Sequence, residues 1–157
     1  MVGLPAGASA GGCPLNSARM ATRLRIRGSP EAGARVKIDR TSPRKAVAFY
    51  PGCRLPLVRG DWHARAPLLI LIDADDDWTP AKPCEDLARI ARASGEPVSI
   101  VVYPVACHDF AHPDLTVHET HDLAFAADGS GSAHTGTNPT ARADAIKRVP
   151  AFLARSR

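Results

Sequence analysis

Residues 68–84 read LLILIDADDDWTPAKPC. An unbroken run of Leu and Ile ends abruptly in Asp73, Asp75, Asp76 and Asp77, and Trp-Thr-Pro follows. A strand that is apolar at every position is buried on both faces, as in a parallel sheet covered on each side by helices. In such sheets, ligands sit outside the carboxyl ends of the strands. The four aspartates therefore stand at the edge where a site is built. They are there either to hold a metal or to orient a catalytic base.

Working outward, the same kind of text recurs. AVAFYPG (46–52) is a short apolar run closed by Pro-Gly, and APLLILID (66–73) is a second; both read as buried strands. PAKPCEDLARIARASGEP (80–97) reads as a helix, with Leu87, Ile90 and Ala91 at i, i+3, i+4 and Gly95 as the stop. PVSIVVYP (97–104) is a third strand, and 105–137 reads as loop. TNPTARADAIKRVPAFLARSR (137–157) closes the chain with a helix. Asn138 is its N-cap, Pro139 its first residue and Pro150 an expected kink or interruption. Strands alternating with helices predict an α/β fold built on a parallel sheet.

Composition narrows the function classes. A chain of 157 residues with 45% hydrophobic content fits one domain. No apolar run approaches the roughly 20 residues that span a bilayer, so no membrane partner is expected. No basic region precedes the weakly apolar start, so no secretory signal is expected. Cys13, Cys53, Cys84 and Cys107 show no C-x-x-C spacing; they are expected as reduced, mostly buried thiols in a cytoplasmic protein. The net charge of +4 is uneven: residues 1–45 carry nine Lys/Arg against Glu31 and Asp39, while 46–157 carry eleven against fourteen acids. These arginines are not interleaved with aromatics and fit no motif, so no nucleic-acid partner is expected. The chain divides into an irregular basic segment, 1–45, and a regular part, 46–157.

His108 lies just past the third strand, in YPVACHDF (103–110). One helix and one strand separate it from Asp76, the size of a βαβ crossover, which returns the chain parallel to its start. Neighbouring strands are roughly 4.8 Å apart, so a carboxylate after one reaches an imidazole after the next. Such an acid fixes the tautomer of the histidine and stabilises the imidazolium formed when it takes a proton. The metal readings fare worse. A calcium loop starting at Asp73 needs Gly sixth and Glu twelfth, and finds Trp78 and Cys84. His112, His118 and His121 are expected as solvated loop residues, because H-E-T-H is not H-E-x-x-H and Pro113 breaks a helical display from His112.

FYPGC, LLILIDADDDWTPAKPC, VVYPVACHDF and the Ala-rich terminal helix, taken together, resemble the dienelactone hydrolase-like members of the α/β-hydrolase superfamily. The resemblance covers about residues 46–157 and implies the last third to half of an α/β-hydrolase fold, truncated at its N-terminus, with 1–45 an altered or truncated start. The family pattern G-x-x-D-x-x-x-P overlays D-A-D-D-D-W-T-P and selects Asp76 as the catalytic acid; Asp73 stands where the family usually has Gly. The catalytic histidine falls on His108, and Tyr50 and Cys53 are implied to pack near the pocket. The nucleophile elbow, G-x-S-x-G, is matched by G-A-S-A-G at 7–11, which selects Ser9, with the Ala10 N–H as an oxyanion-hole donor; Cys13 is a weaker candidate. The text around Ser9 departs from the pattern, since no buried strand precedes it and Cys13-Pro14 follows. The implied activity is hydrolysis of small carboxylic esters or lactones without metal or organic cofactor. The other reading is an inactive hydrolase-fold fragment or binding module. An unpaired apolar strand edge would invite pairing, which keeps a homodimer open.

Overall fold

The computed structural model describes residues 44–155. Three parallel strands form the main sheet in the order β1-β2-β3: β1 is Ala46–Phe49, β2 is Leu68–Asp73 and β3 is Val98–Tyr103. Their registers pair Ala46 with Leu68 and Leu68 with Val98, ending on Asp73 opposite Tyr103. The all-apolar text of β2 makes it the central strand, for only there do both faces and both edges lie inside protein. Its side chains alternate between two cores, as a period of two demands. Ile70 and Ile72 pack with Cys84, Leu87, Ala88 and Ala91, whereas Leu69 and Leu71 pack with Tyr103, Phe110, Ala141 and Ala145.

The first of these cores is closed by α2, Ala81–Ala93, and the second by α3, Pro139–Ala154. α2 buries Ala81, Cys84, Leu87, Ala88 and Ala91, while Ile90 is left 47% exposed. The small residues at 81, 84, 88 and 91 let the helix lie close on the sheet, and that stripe, not the Ile90 side, faces inward. Past the helix, Gly95 takes a left-handed conformation (φ +80°), the stop expected of it. At α3 the Asn138 side chain accepts the Ala141 N–H at 3.0 Å, and Pro139 follows as the first helical residue. The helix runs on through Pro150 to Ala154. A proline inside a helix costs about 3 kcal/mol; here Val149 and Phe152 pack on the second core on either side of it. The Lys45 ammonium donates to the carbonyls of Phe152 and Arg155 at the helix end.

Two elements were not expected from the sequence. A short helix, α1, spans Arg54–Arg59, and the stretch read as loop contains an antiparallel hairpin of β4 (His118–Thr120) and β5 (Ala133–Thr135). The cysteine reading also needs correction. Cys53 and Cys84 are joined in a disulfide with Cα atoms 4.9 Å apart, and Cys107 is buried. The two half-cystines lie 31 residues apart in the chain, Cys53 on the loop leaving β1 and Cys84 in the first turn of α2, the helix to which the loop leaving β2 leads. Parallel pairing brings those loops side by side, which a search for short spacings does not detect.

Candidate active site

The carboxyl ends of β2 and β3 carry the two residues that the spacing argument paired. Pairing continues one residue past the strands, with Ala74 N–H donating to the Tyr103 carbonyl at 2.9 Å. The chain after β2 then turns around a carboxylate. Asp76 Oδ1 accepts the backbone N–H groups of Trp78 (2.8 Å) and Thr79 (2.6 Å), an Asx-type turn that winds the loop about its own side chain. Its Oδ2 accepts the Thr79 hydroxyl at 2.8 Å and meets His108 Nδ1 at 2.9 Å. The Asp76 side chain is wholly buried and that of His108 is 12% exposed. Three N–H and O–H donors and the His108 ring nitrogen converge on Asp76 and lock it in place.

His108 is held as firmly. Its ring packs at a tilt against the rings of Tyr50 (centroids 4.9 Å apart) and Trp78 (4.6 Å). The Tyr50 hydroxyl accepts the Ala111 N–H at 2.8 Å, tying the loop after β3 to the end of β1. Burial pushes the Tyr50 phenol up to about 12, so it keeps its proton. On either side of His108 the backbone is unusual: Val105 has φ +58° and Asp109 φ +65°. Conformations of this kind cost about 1–3 kcal/mol each and persist only where surrounding contacts enforce them. Asn138 enforces this one, its side-chain N–H donating to the Val105 carbonyl at 2.9 Å and its backbone N–H to the Phe110 carbonyl at 3.1 Å. From behind, Gly136 N–H donates to the His108 carbonyl at 2.9 Å. A Cβ at 136 would lie 2.6 Å from Val117 Cα, so only glycine permits that approach.

A second carboxylate–imidazole couple stands beside the first. Asp77 Oδ2 meets His134 Nδ1 at 2.7 Å, and its Oδ1 accepts the His134 backbone N–H at 2.8 Å. The Asp77 carbonyl also accepts Ala127 N–H at 2.7 Å, so this residue pins the β4–β5 hairpin to the β2 loop. His134 is a residue the sequence argument missed; 57 positions separate it from Asp77, and no motif links them. Along α1 and the start of α2 runs an open, mostly apolar groove of about 530 Å³, with Leu55, Val58, Trp78, Thr79, Pro83 and Phe125 on its walls. Trp78 and Thr79 are also contacts of His108, so the groove borders the couple.

Asp73, the last residue of β2, is fully buried, and neither of its carboxyl oxygens has a hydrogen-bond partner. Burial, and then the charge of Asp76, push it up to about 9. Ser9, Ala10 and Cys13 lie outside the described residues. Among the described residues, no group of three or more His, Cys, Asp and Glu side chains is arranged to hold a metal ion. Nor is any described helix long and apolar enough to cross a membrane. His112, His118 and His121 are not gathered at the couple: His112 and His118 bond nearby backbone carbonyls, and His121 meets Ser132 Oγ at 2.9 Å.

Comparison with known proteins adds a family to this geometry. A family model described as the dienelactone hydrolase family matches residues 34–156. No curated protein matches the chain. A solved chain from Klebsiella pneumoniae subsp. pneumoniae MGH 78578, described as a candidate dienelactone hydrolase, is similar at 22% identity with a TM-score of 0.47. The similarity covers 72% of this chain and 42% of that one, so the present chain spans less than half the length of the solved relative.

Proposed function

The chain belongs to the dienelactone hydrolase family, and on that premise we propose that it hydrolyses small carboxylic esters or lactones, with Asp76 and His108 as two members of a nucleophile–His–Asp triad. The observation that carries this reading is the Asp76 Oδ2···His108 Nδ1 contact of 2.9 Å, on a carboxylate already saturated by the Trp78, Thr79 and His108 donors. With Nδ1–H committed to Asp76, the lone pair of a neutral His108 is on Nε2. That nitrogen is the base. It takes the proton of the nucleophile as the substrate carbonyl is attacked and returns it to the leaving oxygen, and a water, deprotonated in turn by Nε2, releases the acid. Ser9 in G-A-S-A-G is the hydroxyl assigned to the attack and Ala10 N–H the oxyanion donor assigned to it. The chemistry needs no metal or organic cofactor. No nucleic acid or membrane enters it, and a homodimer is compatible with it.

The groove bordered by Trp78 and Thr79 is assigned to the carbon skeleton of the substrate, because it is an apolar concavity walled by Trp78, whose ring lies 4.6 Å from that of His108. A location in the cytoplasm was expected from reduced thiols. The Cys53–Cys84 bond removes that argument, since disulfides persist mainly in oxidising compartments.

The test is direct. Turnover of p-nitrophenyl acetate should fall by about 10⁴ in Asp76→Asn, the loss seen when a triad acid can no longer fix the tautomer, and should vanish in His108→Ala. A fluorophosphonate probe should label Ser9, in a manner dependent on His108, with the adduct mapped by mass spectrometry. Unchanged rates in both variants would remove the couple from the chemistry. Absent labelling with no turnover would favour the non-catalytic reading of the fold.

A further inference from the structure

The residue the mechanism leaves unused is Asp73. It sits at the end of the central strand, fully buried, with no donor reaching either oxygen. An ionised carboxylate in that position would be stranded: the desolvation of a buried charge is tolerated only where a partner or hydrogen bonds offset it. The groups facing it are of the wrong kind for an anion. Asp76 comes from its own turn, Asp109 from the loop after β3 and Tyr50 from the end of β1; two of these are acids, and the Tyr50 hydroxyl, which accepts the Ala111 N–H, makes no hydrogen bond to Asp73. Tyr103, opposite Asp73 in register, spends its hydroxyl on Asp144 at 2.8 Å. The imidazole of the cluster, His108, is bound to Asp76.

The two aspartates are thus unequal. Asp76 receives all the donors, and Asp73 receives none. Two ionised carboxylates have no proton to share, so their mutual contact becomes a hydrogen bond only when one of them is an acid, and the one without donors is the one that takes the proton. The Thr79 hydroxyl has one proton and two acceptors, Asp76 Oδ2 at 2.8 Å and the Tyr50 carbonyl at 3.1 Å. When it turns to Tyr50, a lone pair on Asp76 opens for an O–H from Asp73.

We propose that Asp73 is carried as a neutral acid, donates its hydroxyl to Asp76, and acts as a positioning residue whose ionisation loosens the Asp76–His108 couple. Neutral Asp73 donates to the anchor of His108 in place of the Thr79 hydroxyl, which is released to Tyr50; ionised Asp73 places a second negative charge against that anchor and withdraws its donor. The raised ionisation of Asp73, to about 9, is in keeping with this and puts the change on the alkaline side. The kinetic consequence rests on the hydrolase reading, whereas the protonation state does not.

The experiment therefore reads protonation without activity. Infrared difference spectra of the full chain, wild type against Asp73→Asn, should show at pH 7 the carbonyl band of one protonated carboxylic acid, lost in the variant. The His108 Nδ1–H resonance should move as pH passes through about 9 in wild type and stay still in Asp73→Asn, where the amide N–H still donates but no longer titrates. If that variant does not fold, Asp73→Gly, which also deletes the acid, must lose the same band. No protonated-acid band at pH 7, or a band retained in the variants, overturns the proposal. So does a His108 resonance that shifts alike in wild type and Asp73→Asn. Should both signals behave as expected while no ester is turned over, the hydrolase reading fails and the assignment of Asp73 stands.

Discussion

Thr79 shows how much of this site rests on single hydroxyls. Its Oγ1 lies 2.8 Å from Asp76 Oδ2, 3.1 Å from the Tyr50 carbonyl and 3.3 Å from His108 Nδ1, so one side chain touches the ends of all three strands' loops. Thr79→Val keeps the shape and removes these bonds. We expect a loss of about 1–3 kcal/mol, the usual result of stranding buried polar partners, read as a lower melting temperature, with a weaker His108 Nδ1–H signal. Thr79→Ser should restore the bonds and most of the stability. Asp76 was legible in the sequence because it lies just past a run of apolar text and falls on the acid position of the family pattern, four before Pro80. Thr79 was not, since a threonine in a loop carries no sign of which atoms will converge on it. Likewise Asp73 reads as one of four equivalent aspartates; only its full burial separates it from the half-buried Asp75.

At the scale of elements, two devices hold the loops that carry the couple. The Cys53–Cys84 bond ties α1 to the first turn of α2 across 31 residues. On the chain-entropy account, closing a loop of that size stabilises by about 3–4 kcal/mol. Cys53→Ser together with Cys84→Ser should lower the urea midpoint accordingly, and reduction should do the same to wild type but not to the variant. Asn138 is the second device, at once the cap of α3 and the clamp on the Val105 and Phe110 carbonyls. Asn138→Ala should cost about 1–2 kcal/mol as a lost cap, and it should also loosen the loop of His108. Amide exchange at 105–111 should then quicken beyond what helix fraying alone would cause.

For the whole molecule, the aspartates and glutamate pull stability in opposite directions with pH. Asp73 binds a proton in the folded state that the unfolded chain has released above about 4, so its contribution falls as pH rises from there to about 9 and is flat beyond. Asp144, beside the Arg148 guanidinium and the Tyr103 hydroxyl, and Glu96, bonded by Ala64 N–H and His63, are shifted down instead. Their support is present above the ordinary carboxylate range and is lost as pH falls through it. Both carboxylates remain partly open to solvent and their share is small. The melting temperature should therefore peak on the acid side of neutrality and decline toward pH 9. Asp73→Asn should flatten that decline while leaving the acid limb in place. A wild-type profile level between pH 5 and 9 would contradict it.

Apart from the choice of Asp76 among the four aspartates, which the family resemblance supplied, what the sequence alone determined was the parallel sheet, its two covering helices, the caps at Gly95 and Asn138, and the placing of an aspartate after β2 beside His108. These follow from local properties, namely apolar periodicity, turn residues and the fixed spacing of neighbouring strands. The disulfide, α1, the β4–β5 hairpin, the Asp77–His134 tie and the isolation of Asp73 were decided only by the tertiary structure. Each depends on which distant loops share an edge of the sheet and which atoms they bury, and chain spacing carries no record of either.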